Sequence, residues 1–341
     1  MTRIKPGKAI SLSDVQKRYY LSLIPAFRRA RILVIGDFIL DQFIWGNVER
    51  ISPEAPVPVV HVQKENFMLG GSLNVAHNIH QLGGAVIPCG VLGRDREGRM
   101  LRKVIGREKI ETGGIVYEAG RPTSVKTRII AHSQQVVRFD REKVGGISPL
   151  SHAAMLKFIK ERIRSVDVVI IEDYGKGVIE EAFLKTIIRL AKQCKKPILV
   201  DPKEKNFPFY VGVTVITPNR KEAFAGAESL RLEHRSDAHH TGKALVKGLK
   251  CDSVLMTLGE DGMALFEKDG KVTEIPTAAR EVFDVSGAGD TVISVLALAL
   301  AAGAKMKEAA ILSNLAAGIV VGKLGTATIS PEELKAVVTA S

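Results

Sequence analysis

The sequence predicts an α/β protein with a mostly parallel central sheet flanked by helices and a small β-sheet lid. Three observations predict it. From residue 150 onward, helix-like segments (152–165 and 180–194) alternate with short, continuously apolar strands at 166–171, 198–200, 213–216 and 253–256. Strands apolar at every position are covered on both faces, as in a parallel sheet between helical layers. By contrast, residues 113–139 alternate, as in Ser124-Val125-Lys126-Thr127-Arg128-Ile129-Ile130, which implies a small antiparallel sheet with one solvated face. Finally, no internal repeat, low-complexity tract or long linker divides the 341 residues, so one large α/β domain fits better than two independent ones.

The elements follow in order. Residues 12–30 carry apolar positions at Val15, Tyr19, Leu23 and Ile24, which predicts a helix. Residues 1–30 are thus an N-terminal helical extension packed on a main domain of residues 31–341. Residues 31–35 are a β-branched run ending in Gly36-Asp37, a buried strand followed by a turn. Residues 51–59 hold Pro53, Pro56 and Pro58 and cannot be helix, so they suit an extended edge or lid. The pattern turns helical over 74–82 and Gly83-Gly84 stops it. The lid is expected from about residues 42–63 and 114–141. The apolar run 292–302 reads as a buried helix.

Composition excludes several classes. An apolar fraction of 45% and a charged fraction of 25% describe an ordinary globular chain, long enough to bury a large core. Cys89, Cys194 and Cys251 lie too far apart for a disulfide framework or zinc spacing and read as small residues in a reducing compartment. Nothing at the N-terminus resembles a signal peptide, and the longest apolar stretch, about 292–304, is too short to span a bilayer. The expectation is a cytoplasmic protein with no membrane partner. The net charge of +12 suits nucleic acid or small anionic ligands. The basic residues are scattered, Arg28, Arg29 and Arg31 being the densest group, and the 5% aromatics do not interleave with them. Small phosphorylated ligands are therefore favoured over nucleic acid. There is no P-loop and no Gly-x-Gly-x-x-Gly after the first strand. His77, His80, His239 and His240 lack companion ligands at metal spacing.

The most informative segment is residues 283–291. Gly287, Ala288 and Gly289 are small residues at a helix entrance, where N–H groups can approach a phosphate at the positive end of the helix dipole. Asp290 adds a carboxylate beside that anion site, which suits a group that takes a proton from an attacking hydroxyl. It also suits a plain helix cap. Gly70 and Gly71 allow close approach of backbone to a ligand, and Asn74 offers both a donor and an acceptor for a sugar hydroxyl. Asp41 follows the end of the first strand, where open α/β sheets bind ligands. Lys176, between Gly175 and Gly177 at another strand end, is free to contact a phosphate. Asn219 and Glu222 are spaced to meet on one face, either around the waters of Mg²⁺ or as a capping pair. Thr257, Gly259 and Gly262 close a further strand, as a nucleotide platform or a charged hairpin turn.

Together these segments resemble the ribokinase-like (PfkB) family of sugar kinases: Gly70-Gly71 with Asn74, the Asn219–Glu222 motif, and residues 284–290, in that order. Within it, residues 50–59, 173–177, 200–203 and 282–291, with Gln134, Gln135 and Arg138, are similar to the heptose 7-phosphate kinases of the ADP-heptose pathway. The His-x-Gly-His motif of the nucleotidyltransferase fused to some members does not occur, so the kinase alone is expected. The resemblance implies roles. Asp290 would be the general base, and Gly287, Ala288 and Gly289 would hold the transferring phosphoryl group. Asn219, Thr257, Gly259, Gly262 and Asn314 would bind ATP, with Mg²⁺ held by Glu222 mostly through water. Asp41, Gly70, Gly71, Asn74 and Asp173 would line the sugar site, with Arg138 and Lys176 on its distal phosphate. A homodimer pairing through the lids is the partner implied. Two other readings stay open: a kinase of the same fold for another sugar phosphate or a nucleoside, and a basic nucleic-acid-binding or sugar-sensing protein on the same scaffold.

Overall fold

The computed structural model describes residues 10–132, 134–232, 237–279, 282–323, 325 and 327–341. Residues 1–9 of the expected extension and Ser133 of the expected lid lie outside the described residues. Helix α1 (Asp14–Leu23) opens on a reciprocal cap, in which the Ser13 hydroxyl accepts from Gln16 N and the Gln16 side chain accepts from Ser13 N. The helix expected to residue 30 stops at Leu23 and tightens into a 3-10 turn over Ile24–Arg29, because Pro25 has no N–H to donate. The extension is tied to the other end of the chain: Leu12 N donates to Ser341 O at 3.1 Å and Lys17 Nζ to Thr339 O at 2.9 Å.

The strands follow as β1 (Arg31–Gly36), β2 (Phe38–Ile51), β3 (Pro58–Gly71), β4 (Ala85–Gly93), β5 (Gly114–Glu118), β6 (Ser124–Ala131), β7 (Gln134–Arg141), β8 (Val168–Glu172), β9 (Ile198–Asp201), β10 (Val215–Ile216), β11 (Ser253–Thr257), β12 (Met263–Glu267) and β13 (Val272–Ile275). Between and after them run α2 (Ser72–Gln81), α3 (Arg96–Arg107), α4 (Pro149–Arg162), α5 (Glu181–Gln193), α6 (Arg220–Ser229), α7 (Ala238–Leu249), α8 (Ala288–Ala301), α9 (Met306–Val320) and α10 (Pro331–Ala340). Nine strands form one sheet in the order β13-β12-β11-β10-β9-β8-β1-β4-β5. It is parallel from β5 to β11, with β12 and β13 added antiparallel. The expected mostly parallel sheet is met.

The period of two along each strand explains the two cores. Ile32, Val34, Val168, Ile170 and Leu199 pack into the layer that holds α2, α8 and α9. Leu33, Ile35, Val169, Ile171 and Val200 pack against α4, α5 and α7 on the other face. That parity places the site. Glu172 and Asp201 continue the first set, are register partners, and so carry their carboxylates to the α8 side at the carboxyl end of the sheet. Helix α8 is apolar nearly all round and buried from Asp290 to Ala299, so its N-terminus is fixed above those strand ends.

The small sheet differs from expectation in two ways. It comprises β3-β2-β6-β7, and although β2–β3 and β6–β7 are antiparallel, β2 and β6 run parallel. Residues 114–118 do not belong to it: β5 pairs parallel with β4 at the edge of the large sheet. A half-buried edge strand shows the same alternation as a one-sided small sheet, which is why the sequence pattern does not separate them. Cys89 and Cys251 are buried, Cys194 is half-buried, and all are free thiols. Among the described residues no helix is long and apolar enough to cross a membrane.

Candidate active site

The entrance to α8 is built on a left-handed residue, Gly287 at φ +79°. Asp284 braces it, accepting from Ser286 N at 2.9 Å and from Gly325 N at 3.0 Å, while Phe283 N and Asp284 N donate to Val321 O at 2.8 and 3.2 Å. Ala288 N donates to Val285 O at 3.2 Å. The N–H groups of Gly287 and Gly289 have no hydrogen-bond acceptor among the described residues and sit at the positive helix end. Asp290 lies in the first turn, buried, with Asn74 Nδ2 donating to its Oδ2 at 2.5 Å and Tyr174 OH to its Oδ1 at 2.8 Å. Burial pushes this carboxyl above its usual range, while the Asn74 and Tyr174 hydrogen bonds pull it back. A raised pKa makes a carboxylate a better base.

On the sugar side, Gly70 has no room for a side chain: a Cβ there would lie 2.2 Å from Asp41 Oδ2. Asp41 is buried and paired with Arg128 of β6 at 2.6 Å. Lys126, two residues earlier on the same face, sits 4.8 Å from the centre of the Tyr174 ring. Burial pushes its ammonium pKa down; Asp41 opposes this, and the neighbouring charges of Lys176, Arg138 and Arg128 add to it. Strand register sets Lys126 opposite Asp41 and Arg138 opposite Arg128, so these cations gather beside Asp41, with Lys176 close enough to repel Lys126. Lys176 is paired with Glu142 at 2.6 Å and Arg138 with Asp140 at 3.0 Å, so each expected phosphate contact is held by a carboxylate here.

Asp173, implied above as a sugar contact, has partners within the protein. Its Oδ1 accepts from Gly175 N at 2.7 Å, and its Oδ2 accepts from Asn206 Nδ2 at 2.6 Å and Tyr210 OH at 2.7 Å. With both oxygens engaged it braces the loop that carries Tyr174 and Lys176. Asp37 holds the same loop from the first strand, and burial raises its carboxyl to about 6.

On the nucleotide side, Asn219 and Glu222 form a capping box: Glu222 Oε2 accepts from Asn219 N, and Asn219 Oδ1 from Glu222 N, both at 2.9 Å. Thr257 pairs with Asn219 across a short parallel bridge, joining two expected contacts far apart in sequence. Gly259 and Gly262 shape the β11–β12 turn at φ +64° and +89°. Gly262 packs so close that a Cβ would lie 2.2 Å from Ile275 O, and Asn314 Nδ2 donates to the next carbonyl, that of Pro276, at 2.6 Å.

Beside Asp290 lie two carboxylates the sequence reading did not single out, Glu172 and Asp201; one oxygen from each of the three lies within 4.8 Å of the others. Asp290 is occupied by Asn74 and Tyr174, but both Glu172 oxygens are buried with no hydrogen-bond partner among the described residues. Burial, then repulsion from neighbouring carboxylates (Asp201 and Asp290 on Glu172, Glu222 and Asp290 on Asp201), holds both well above the ordinary carboxyl range. Such a pair, with Glu222 nearby, fits a divalent cation. Asp201 and Glu172 end apolar strands, a signal available in the sequence. Tyr174, Lys126 and Arg128 carried no such signal, since only the fold brings the first two to Asp290 and the third to Asp41.

The pfkB family carbohydrate kinase model matches residues 29–333. The chain belongs to this family. It is an ATP-dependent sugar kinase of the kind that works with Mg²⁺. It is 44% identical over 313 residues to the bifunctional protein HldE of Citrifermentans bemidjiense, an alignment covering 91% of this chain and 64% of that protein. It is also 44% identical over 306 residues to the HldE protein of Wolinella succinogenes, covering 90% and 64%. The chain thus spans a little under two thirds of the length of these relatives. Among solved structures, it is similar to phosphofructokinase-2 from Escherichia coli in complex with potassium (TM-score 0.73, 18% identity, 91% and 99% coverage). It is likewise similar to the Arabidopsis thaliana ribokinase with ribose and ATP (TM-score 0.70, 17% identity, 92% and 99%). These two share the fold.

Proposed function

We propose that this kinase transfers the γ-phosphoryl group of ATP to the anomeric hydroxyl of D-glycero-β-D-manno-heptose 7-phosphate. The product is the 1,7-bisphosphate, for ADP-heptose synthesis in the cytoplasm. The observation that carries the reading is the grouping of Lys126, Arg128, Arg138 and Lys176 beside Asp41, with Lys126 also near Asp290. A sugar kinase needs one anion site for the transferred group. A second cationic cluster suits a sugar already carrying a phosphate at its far end. The likeness of residues 50–59, 173–177 and 200–203 to heptose 7-phosphate kinases supports the same substrate.

Asp290 takes the proton of the anomeric hydroxyl, and that oxygen attacks the γ-phosphorus as ADP leaves. Gly287, Ala288 and Gly289 stabilise the charge gathering on the phosphoryl oxygens; Ala288 must first release Val285 O. Asp41, Gly70, Gly71 and Asn74 orient the sugar, and Asn219, Thr257, Gly259, Gly262 and Asn314 form the nucleotide wall. When bound, Mg²⁺ neutralises phosphate charge, and Glu172, Asp201 and, through water, Glu222 are the residues to hold it. The small sheet acts as a lid that excludes water.

ADP release is measured with Mg-ATP and heptose 7-phosphate, fructose 6-phosphate, ribose or adenosine. Turnover confined to the heptose phosphate is the expected result, and preferred turnover of another compound overturns the assignment. A homodimer through the lids is supported by Val62, Val136, Val137 and Phe139, all exposed on the small sheet, and by the unpaired outer edge of β7. Sedimentation at twice the 37.0 kDa chain mass, reverting to one chain mass in Val137→Lys, is expected; a wild-type monomer contradicts it.

A further inference from the structure

The two hydrogen bonds on Asp290 come from unlike places. Asn74 reaches it from the first turn of α2, but Tyr174 reaches it from a loop, and that loop is clamped. Asp37 Oδ2 accepts from Tyr174 N and Lys176 N, both at 3.0 Å, and its Oδ1 accepts from Val178 N at 3.2 Å. One buried side chain thus pins residues 174–178 to the first strand. Asp173 fixes the residue before through Asn206 and Tyr210, and the buried Arg121 guanidinium donates to the carbonyls of Lys176, Lys143 and Gly145. On the ring itself lies Lys126 of β6. A phenol held this firmly delivers its hydroxyl to one place, and that place is Oδ1 of Asp290.

A carboxylate held at one oxygen still turns about its Cβ–Cγ bond. Held at both, it presents a fixed plane, and Asp41, which Gly70 closely approaches, is near enough to act on its charge. We propose that Tyr174 is the positioning residue of the catalytic base: its hydroxyl sets the orientation in which Asp290 meets the sugar hydroxyl, without touching the substrate. The proposal rests on the reading of Asp290 as the base.

The test is Tyr174→Phe in the full chain, assayed with Mg-ATP and the sugar turned over in the panel. Loss of a hydrogen bond to a charged group is expected to lower kcat by about 10- to 100-fold. KM for both substrates stays within about twofold, and the solvent deuterium isotope effect on kcat rises as proton transfer becomes limiting. In the Asp290→Asn background the same substitution changes the residual rate by less than about twofold, because the group it acts through is gone. Tyr174→Leu, which also removes the ring beneath Lys126, is expected to raise the sugar KM as well. A kcat for Tyr174→Phe within twofold of wild type, or an equal loss in both backgrounds, overturns the proposal and leaves Asp290 as the base. Full activity of Asp290→Asn overturns the base assignment itself, and this proposal with it. A lowered unfolding midpoint for Tyr174→Phe with an unchanged isotope effect assigns Tyr174 to stability alone.

Discussion

Asp290→Asn is expected to lower kcat by about 10²- to 10⁴-fold, the usual worth of a positioned general base. KM for Mg-ATP should change by less than about threefold, because the nucleotide contacts lie on the other side of the anion site. The amide is nearly isosteric but cannot take the proton. It also meets two donors, Asn74 Nδ2 and Tyr174 OH, with only one acceptor oxygen, so part of the loss comes from reorientation. ADP release at saturating substrate checks the prediction, together with a thermal unfolding curve of the variant. A kcat within tenfold of wild type removes Asp290 from the chemistry. Removing a buried carboxyl that is held above its ordinary range should leave the variant at least as stable as wild type near neutral pH.

The second large effect is on stability and links pH to the divalent cation. Glu172 and Asp201 hold protons in the folded chain above the pH at which the unfolded chain has released them. The native state therefore binds more protons than the unfolded state in that window, and stability falls as pH rises through it. Mg²⁺ binds better as those protons leave. In chelator, the unfolding midpoint is expected to fall from pH 5 to pH 8. Mg²⁺ at about 100 times its dissociation constant would add about 2.7 kcal/mol, which is roughly 5 °C for a chain of this size. The gain should be larger at pH 8 than at pH 5. His77, whose imidazole burial pushes down, acts in the opposite direction over its own titration, and Asp37 in the same direction as the cluster. The decisive comparison is consequently with Glu172→Gln, followed by circular dichroism. The variant should lose both the steeper part of the pH slope and most of the Mg²⁺ gain. Parallel curves for wild type and variant rule out the cluster as the cause.

Much of the fold was legible because burial leaves a periodic trace. The strands β8 and β9 are apolar up to a closing carboxylate and β11 is apolar between its ends, since helices cover both sides, and α8 is apolar nearly all round since it lies inside the molecule. The turn before Asp290 was legible because a left-handed residue, close backbone approach and a first-turn carboxylate each restrict residue type. The boundary of the small sheet was not. Strand β5 alternates as a lid strand does, and only its pairing with β4 reveals where it belongs.

By itself, then, the sequence determined the α/β class, the glycine-built turn at Gly287 and Gly289 that opens a buried helix, the base candidate Asp290 and the tightly packed glycines Gly70 and Gly71. Each of these is a local requirement of backbone geometry or of period. Only the tertiary structure decided which side chains meet. It set Tyr174 and Asn74 on the two oxygens of Asp290, 116 and 216 residues away along the chain. It placed Glu172 beside Asp201, and gave Asp173 the Asn206 and Tyr210 partners with which it braces a loop. Those facts depend on strand register and on the parity that assigns each side chain to one face of the sheet. Pairing between distant strands sets them, and no local window of sequence contains that information.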